Sequence, residues 1–206
     1  MLIVFEGIDG SGKSTQAKML HEYLLNKGIR AELTAEPTKD SEVGALLKKE
    51  LRVGKPDQLY LQLLFTADRA WHVANVVRPA LERGAVVITD RYLDSTRAYG
   101  GAAGLDGQWL ARINGKFPKA DLTLFMDVKP EEAMRRLAAA RGTKELFDNI
   151  GFLTRVRSLY IEMSRADKGY HVIDASNDVD AVHKKVVSLV DKALPKASRS
   201  TAGRHP

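Results

Sequence analysis

The chain has 206 residues, 44% of them hydrophobic and 28% charged, with no cysteine and a formal net charge of +6. That balance is ordinary for a soluble globular protein and excludes collagen-like, disordered and disulfide-stapled chains, along with thiolate metal sites and cysteine nucleophiles. Apolar runs such as residues 2–5 and 122–126 fall far short of the ~20 residues that span a bilayer, and Glu6 ends the apolar start too early for a secretory leader, so a cytoplasmic location without a membrane partner is expected.

Half of the net charge sits in residues 196–206, where Lys196, Arg199 and Arg204 stand without an acid. This tail is short, lacks aromatics and contains Ser, Gly and Pro, so it is expected to be disordered and not to bind nucleic acid. The modest remaining excess of cations suits phosphate ligands.

In chain order, residues 2–5 are too short an apolar run for a helix and predict a buried strand. Residues 14–27 predict a helix with Ala17, Leu20 and Leu24 on one face and Gly28 as its stop. A second strand follows at 29–34, then a short helix capped by Asp40 or Ser41 and broken by the Gly-Lys-Pro at 54–56. Residues 57–83 keep helical periodicity through Leu59, Leu63, Ala67 and Ala70, with a bend or break at Pro79.

A third strand at 85–89 ends at Asp90, and 108–117 predicts a helix. The fourth strand, 122–128, leads into a helix opened by Pro130 and running to about Arg141. A charged, Gly-containing connection at 141–149 precedes a helix ending near Lys168, a fifth strand at 170–174, and a last helix capped by Asn177 or Asp178. Alternating strands and helices predict an α/β fold: a five-stranded parallel sheet with helices on both faces, in one domain over 1–195. Such sheets place ligands at the carboxyl ends of their strands.

Residues 7–14, G-I-D-G-S-G-K-S, match G-x-x-x-x-G-K-[ST] and stand between a predicted strand and a predicted helix. Glycines let backbone N–H groups converge on phosphate oxygens, and the helix N-terminus adds a positive field. Lys13 can reach the β- and γ-phosphates of a nucleoside triphosphate, and the Ser14 hydroxyl can bind Mg²⁺. The whole stretch Gly7, Ile8, Asp9, Gly10, Ser11, Gly12, Lys13, Ser14 and Thr15 is therefore the expected ATP-binding loop. No N-K-x-D motif marks a GTPase and no L-S-G-G-Q signature marks a transporter ATPase, which favours a small phosphotransferase with a second substrate.

Asp90-Arg91-Tyr92 follows the third strand to the same sheet edge. A carboxylate there can support Mg²⁺ or orient an acceptor, and an arginine can clamp transferring phosphate oxygens. Phe65 and Arg69 are four apart on a helix, so a ring and a guanidinium could together read a base, although a phenylalanine such as Phe65, taken alone, is more often a core residue. Arg141 and Lys144 stand on the Gly-containing connection, where a closing segment could neutralise transition-state charge.

Together, F-E-G-I-D-G-S-G-K-S-T (5–15), L-L-F-T-A-D-R (63–69), D-R-Y-L-D-S-T-R-A-Y (90–99) and I-D-A-S (173–176) resemble the thymidylate kinases, over residues 1 to about 194. The resemblance implies a P-loop kinase with a short lid at about 141–149, a homodimer, and transfer of the ATP γ-phosphate to dTMP, with Mg²⁺, to give dTDP for dTTP biosynthesis. It implies that Phe65 stacks on thymine, that Arg69 bonds a ring carbonyl, and that Arg91 contacts the acceptor phosphate and the transferred group. Tyr99 would lie against the sugar and disfavour a 2′-hydroxyl, Ser95 and Thr96 would line the same pocket, and Asp9 would help hold Mg²⁺ or the sugar. Pro37 and Lys39 fall in the acceptor-phosphate loop.

Two departures stand out. Many members of that family have arginine where Lys39 stands, which replaces a bidentate clamp by a point charge. Position 10 is glycine where some members carry a catalytic arginine, so the transition-state role passes to Arg141, with Lys144 second. Another nucleoside monophosphate kinase, or a nucleotide switch without an acceptor, are the competing expectations.

Overall fold

Strand β1 (Leu2–Glu6) is buried along its whole length, a condition that parallel strands meet when both faces of their sheet are covered. The computed structural model describes residues 1–53, 56–140 and 149–195. β1 stands in the middle of a five-stranded sheet of order β2-β3-β1-β4-β5, with β2 (Ala31–Ala35), β3 (Val86–Asp90), β4 (Leu122–Asp127) and β5 (Tyr170–Asp174). Every pairing is parallel. Alternation along β1 divides the core: Ile3 and Phe5 join a cluster with Leu20 and Leu24, whereas Leu2 and Val4 join another with Val77, Ala80 and Val87.

Helix α1 (Lys13–Asn26) runs from the phosphate loop, and α9 (Val179–Ala193) packs beside it in the larger cluster. Between the predicted alternatives for caps, the Ser41 hydroxyl accepts from Gly44 N at 2.8 Å ahead of α2 (Glu42–Val53), and Asp178 accepts from Asp180 and Ala181 at the start of α9. Helix α3 (Gln58–His72) does not break at Pro79. It passes through a π-helical turn, Val73–Val77, into α4 (Arg78–Glu82). The wide turn makes room for a proline that cannot donate to the turn before it. Along α3 the periodic stripe faces outward, with Leu59 and Leu63 nearly half exposed and Ala67 and Ala70 exposed.

Helix α5 (Leu93–Ala102) is absent from the sequence-based expectation, because L-D-S-T-R-A-Y-G-G-A has no 3.6-residue apolar stripe. Its start is set from outside the helix. The Glu6 carboxylate, fully buried at the end of β1, accepts from Tyr92 N at 2.9 Å and Ser95 N at 3.1 Å through Oε1, and from Ser95 Oγ and Tyr160 Oη at 2.6 and 2.8 Å through Oε2. Ahead of it Arg91 sits in the left-handed region at φ 72°, which turns the chain from β3 into α5, and Thr89 Oγ1 donates to its carbonyl at 2.9 Å.

Helix α6 (Gly107–Asn114) ends three residues before the predicted 117. Helices α7 (Pro130–Ala140) and α8 (Ile150–Ala166) follow the expected order. The lid positions 141–148, with Arg141 and Lys144, lie outside the described residues, as does the 196–206 tail.

Replacing Glu6 leaves two backbone donors and a buried phenol without an acceptor, in addition to a cavity. Glu6→Ala is expected to lower stability by about 3 kcal/mol in urea denaturation followed by circular dichroism. Ser158→Ala, on the exposed side of α8, should change it by less than about 0.5 kcal/mol.

Candidate active site

The sheet order changes hands around β1, so the crevice at the carboxyl ends of β1, β3 and β4 is where a parallel sheet offers a ligand site. The phosphate loop fills its centre. Gly7, Gly10 and Gly12 all have positive φ. At Gly7 a Cβ would lie 2.7 Å from the Met126 carbonyl oxygen, and at Gly10 one would lie 2.4 Å from that of Ala133. The close passage of α7 thus leaves position 10 of this chain no room for a side chain.

Around the loop is a cavity of about 720 Å³, lined by Asp9, Gly10, Ser11, Gly12, Lys13, Ser14, Thr15, Asp90 and Arg91. Its far wall is Arg136 and Leu137 of α7 with Ala175, Asn177, Val179 and Val182 around the start of α9. These far-wall residues are missing from the sequence-based site. Arg136 reads from sequence as part of a solvated helix face, and it does pair with Glu132 at 2.8 Å, yet its inner side borders the cavity. Gln16 ties the wall to the loop helix, donating to the Val179 carbonyl at 2.8 Å, with His183 Nδ1 3.2 Å from its Oε1.

Lys13 is buried, and its ammonium donates to the Ile8 carbonyl at 2.9 Å. Burial, and then the Arg91 charge, bring its pKa down to about 8, while Asp90, Asp9 and Glu6 act in the opposite sense. Ser14 Oγ donates to Asp90 Oδ2 in a short contact, and the buried Asp90 Oδ1 has no hydrogen-bond partner among the described residues. Ser11 Oγ, inside the loop, is a second buried polar atom without one. An orphaned carboxylate oxygen beside a hydroxyl fits a hard divalent cation, and an orphaned hydroxyl within a nest of amides fits a phosphate oxygen.

Arg91 is the junction of the two halves of the site. Nη1 donates to Gly7 O at 3.2 Å and Ser95 Oγ at 3.0 Å, and Nη2 to Asp9 Oδ1 at 2.7 Å and Tyr99 Oη at 3.0 Å. The Tyr99 ring lies under the guanidinium, 4.8 Å from Cζ. Asp9, Arg91, Ser95 and Tyr99 therefore come together as the motifs suggest. Asp9, however, meets Arg91, and the partner of Ser14 is Asp90.

On α3, Phe65 is half-buried one turn before Arg69, which is 1% exposed. Arg69 uses all five of its N–H donors within the protein. Nε and Nη2 both reach Glu36 Oε2, at 2.9 and 2.6 Å, Nη2 also reaches Tyr92 O at 2.8 Å, and Nη1 reaches Thr96 Oγ1 at 2.9 Å and Asn114 Oδ1 at 2.5 Å. Bonding a base carbonyl would require Nη1 to exchange one of these partners. Sequence gives no sign of Glu36, Asn114 or the buried His72, whose Nδ1 lies 3.0 Å from Glu36 Oε1, because each acts through a neighbour distant in the chain.

Pro37 follows the end of β2, and Lys39 is exposed beside a second cavity of about 360 Å³. That cavity shares Ser14, Ala35 and Asp90 with the first, so the 37–40 loop and the phosphate loop face a common carboxylate.

A parallel sheet with a phosphate loop at its centre, an arginine between that loop and a neighbouring helix, and a second pocket alongside defines a P-loop phosphotransferase. Residues 5–186 match the family model described as thymidylate kinase. The chain is 42% identical over 199 residues to a probable thymidylate kinase of Pyrococcus horikoshii, covering 93% of this chain and 96% of that one. It is 40% identical over 200 residues to one of Pyrobaculum calidifontis, covering 97% and 100%. The structure of thymidylate kinase from Candida albicans superposes with a TM-score of 0.79 at 26% identity, covering 93% of this chain and 91% of that one. This chain belongs to the thymidylate kinase family and is a nucleoside monophosphate kinase that phosphorylates dTMP to dTDP, with ATP as the family's phosphate donor. No helix among the described residues is long and apolar enough to cross a membrane.

The depressed Lys13 pKa makes nucleotide binding proton-linked. Triphosphate oxygens placed beside the ammonium favour its charged form, so affinity for ATP is complete below pH 8 and declines above it. Calorimetric titration with ATP from pH 7 to 9.5 is expected to show Kd rising by about tenfold per unit once pH exceeds about 8, with proton uptake on binding.

Proposed function

We propose that the residues gathered at the carboxyl ends of β1 and β3 carry the transfer, with 1–195 acting as one kinase domain in the cytoplasm. The observation that carries this reading is the placement of Arg91, which touches the phosphate loop at Gly7 and Asp9 and helix α5 at Ser95 and Tyr99. A cation between donor and acceptor sites can neutralise the oxygens of both while the phosphoryl group moves. Lys13 and the loop amides hold the ATP phosphates, and the wall of Arg136, Leu137, Ala175 and Val182 receives the donor base.

Ser14 and Asp90 are the residues that hold Mg²⁺, which supplies charge neutralisation on the donor phosphates when bound. Asp9, paired with Arg91 at 2.7 Å, sets the direction of that guanidinium. Phe65, with Thr96 and Arg69, forms the thymine pocket, Tyr99 lies against the sugar, and Pro37 and Lys39 seat the acceptor phosphate. The acceptor is already an anion, so no strong base is needed. Arg141 and Lys144 supply further charge from the lid.

The outward stripe on α3, Leu59, Leu63, Ala67 and Ala70, is the surface of the homodimer. Two half-exposed leucines at i and i+4 leave an apolar strip that a second copy of the same helix covers.

Coupled ADP release with separate monophosphates tests the assignment. Turnover should be strong with dTMP, weaker with dUMP and negligible with ribonucleotides. Arg91→Ala should lower kcat by about 10³ with folding intact. Turnover with another monophosphate only would remove the base-pocket assignment. Leu63→Glu should convert the dimer to a monomer in sedimentation velocity, and a wild-type chain that sediments as a monomer would remove the dimer.

A further inference from the structure

Asp68 lies between the two α3 residues assigned to the base, yet its carboxylate is turned to a different part of the site. It is fully buried. Oδ2 accepts from the backbone N–H of Thr38 at 2.8 Å, and Oδ1 lies 2.5 Å from Thr38 Oγ1 and accepts from Ser41 Oγ in a shorter contact. All three bonds go to the segment that follows β2. Placing a carboxylate out of water is costly unless donors converge on it, and here the donors all come from one loop.

That loop is further secured around the same point. Ser41 Oγ accepts from Gly44 N at 2.8 Å, and Lys48 Nζ donates to Thr38 O at 2.8 Å. A Cβ at Gly44 would lie 2.3 Å from the Thr38 carbonyl oxygen and 3.0 Å from Asp68 Oδ1, so helix α2 is drawn hard against the loop. Lys39, the next residue after Thr38, stands exposed at the mouth of the cavity that contains Ser14 and Asp90. Thr38 is thus the held point of the loop, and Lys39 is the cation it presents.

We propose that Asp68 is a positioning residue for the acceptor phosphate. By fixing Thr38 and Ser41 it sets Lys39 relative to the phosphate loop, and it does so from the helix that carries Phe65 and Arg69. The inference rests on the assignment of the 37–39 loop to the acceptor phosphate. It adds that the increment of binding due to the phosphate, as distinct from the thymidine portion, passes through Asp68. A point-charge lysine on a long stem needs a fixed backbone more than a forked arginine would, since it brings no planar geometry of its own.

The test compares dTMP with thymidine, which lacks the phosphate, on the full chain. For Asp68→Asn, which keeps shape and one acceptor oxygen, KM for dTMP should rise about tenfold with KM for ATP within about twofold. Thymidine, measured as a competitive inhibitor against dTMP, should keep its inhibition constant within about twofold, so the dTMP-to-thymidine preference falls. Ser41→Ala, which removes one of the three bonds, should move the same ratio by about threefold, and it serves as the deciding variant if Asp68→Asn does not fold. Parallel weakening of dTMP and thymidine, or an unchanged ratio in folded variants, overturns the proposal. A wild-type chain whose ADP release is indifferent to dTMP overturns the acceptor-loop assignment and this inference with it.

Discussion

The Glu6 carboxylate organises more of this molecule than any other single group. It stands at the last position of the central strand, fully buried, and four hydrogen bonds converge on its two oxygens. Burial, and then the nearby Asp94 charge, push its pKa up, while the bonds from Ser95 and Tyr160 and the charge of Arg91 hold it down. A group under such opposing demands is tolerable only when its donors are fixed. Those donors come from the turn after β3, the first turn of α5 and the middle of α8. One side chain therefore joins the strand that leads into the phosphate loop to the helix that carries Ser95, Thr96 and Tyr99. The left-handed Arg91 sits within that junction, with its backbone N–H held by Phe5 O at 2.9 Å and its side chain spread over both halves of the site.

A second polar system does the same for the end of β2 and α3. Glu36 takes Arg69 on one oxygen and His72 on the other, and His72 reaches Thr34 at 2.8 Å. Three residues on one side of α3, Asp68, Arg69 and His72, thereby hold the end of β2 and the loop beyond it. Buried ionic groups of this kind are costly to separate, because removing one partner strands the other's charge. The end of β2 and the loop after it are consequently tied to α3 by groups that resist separation.

The order of strands and helices and the phosphate loop were legible in the sequence because they depend on local signals: apolar runs, glycines at fixed spacing, and motifs that follow a strand directly; the gathering of Asp9, Ser95 and Tyr99 around Arg91 was implied by the family resemblance alone. Helix α5 was not legible, since its N-terminus is held by a residue more than eighty positions away. The cavity wall of Arg136, Leu137 and the start of α9 was missed for a related reason. Arg136 carries the marks of a solvated helix face, and only the approach of α9 shows that one side of it borders a cavity. Likewise, the five bonds of Arg69 come from four separate segments. The stripe at Leu59 and Leu63 shows the other limit: helical periodicity reports an apolar face, but not what covers it.

The π-helical turn at Val73–Val77 shifts the phase of one long helix. Before it, Asp68, Arg69 and His72 point toward polar partners at the end of β2; at its last residue and beyond, Val77 and Ala80 join the apolar cluster with Val4 and Val87. His72 and Val73 are neighbours in sequence and both are buried, the first among polar partners and the second in the apolar cluster. Each residue of an α-helix advances about 100° around its axis, so the wider turn works as a gear between two unlike surroundings. Closing the wide turn to an ordinary α-helical one would take one residue out of it, so this stretch carries an extra residue that the helix absorbs without breaking.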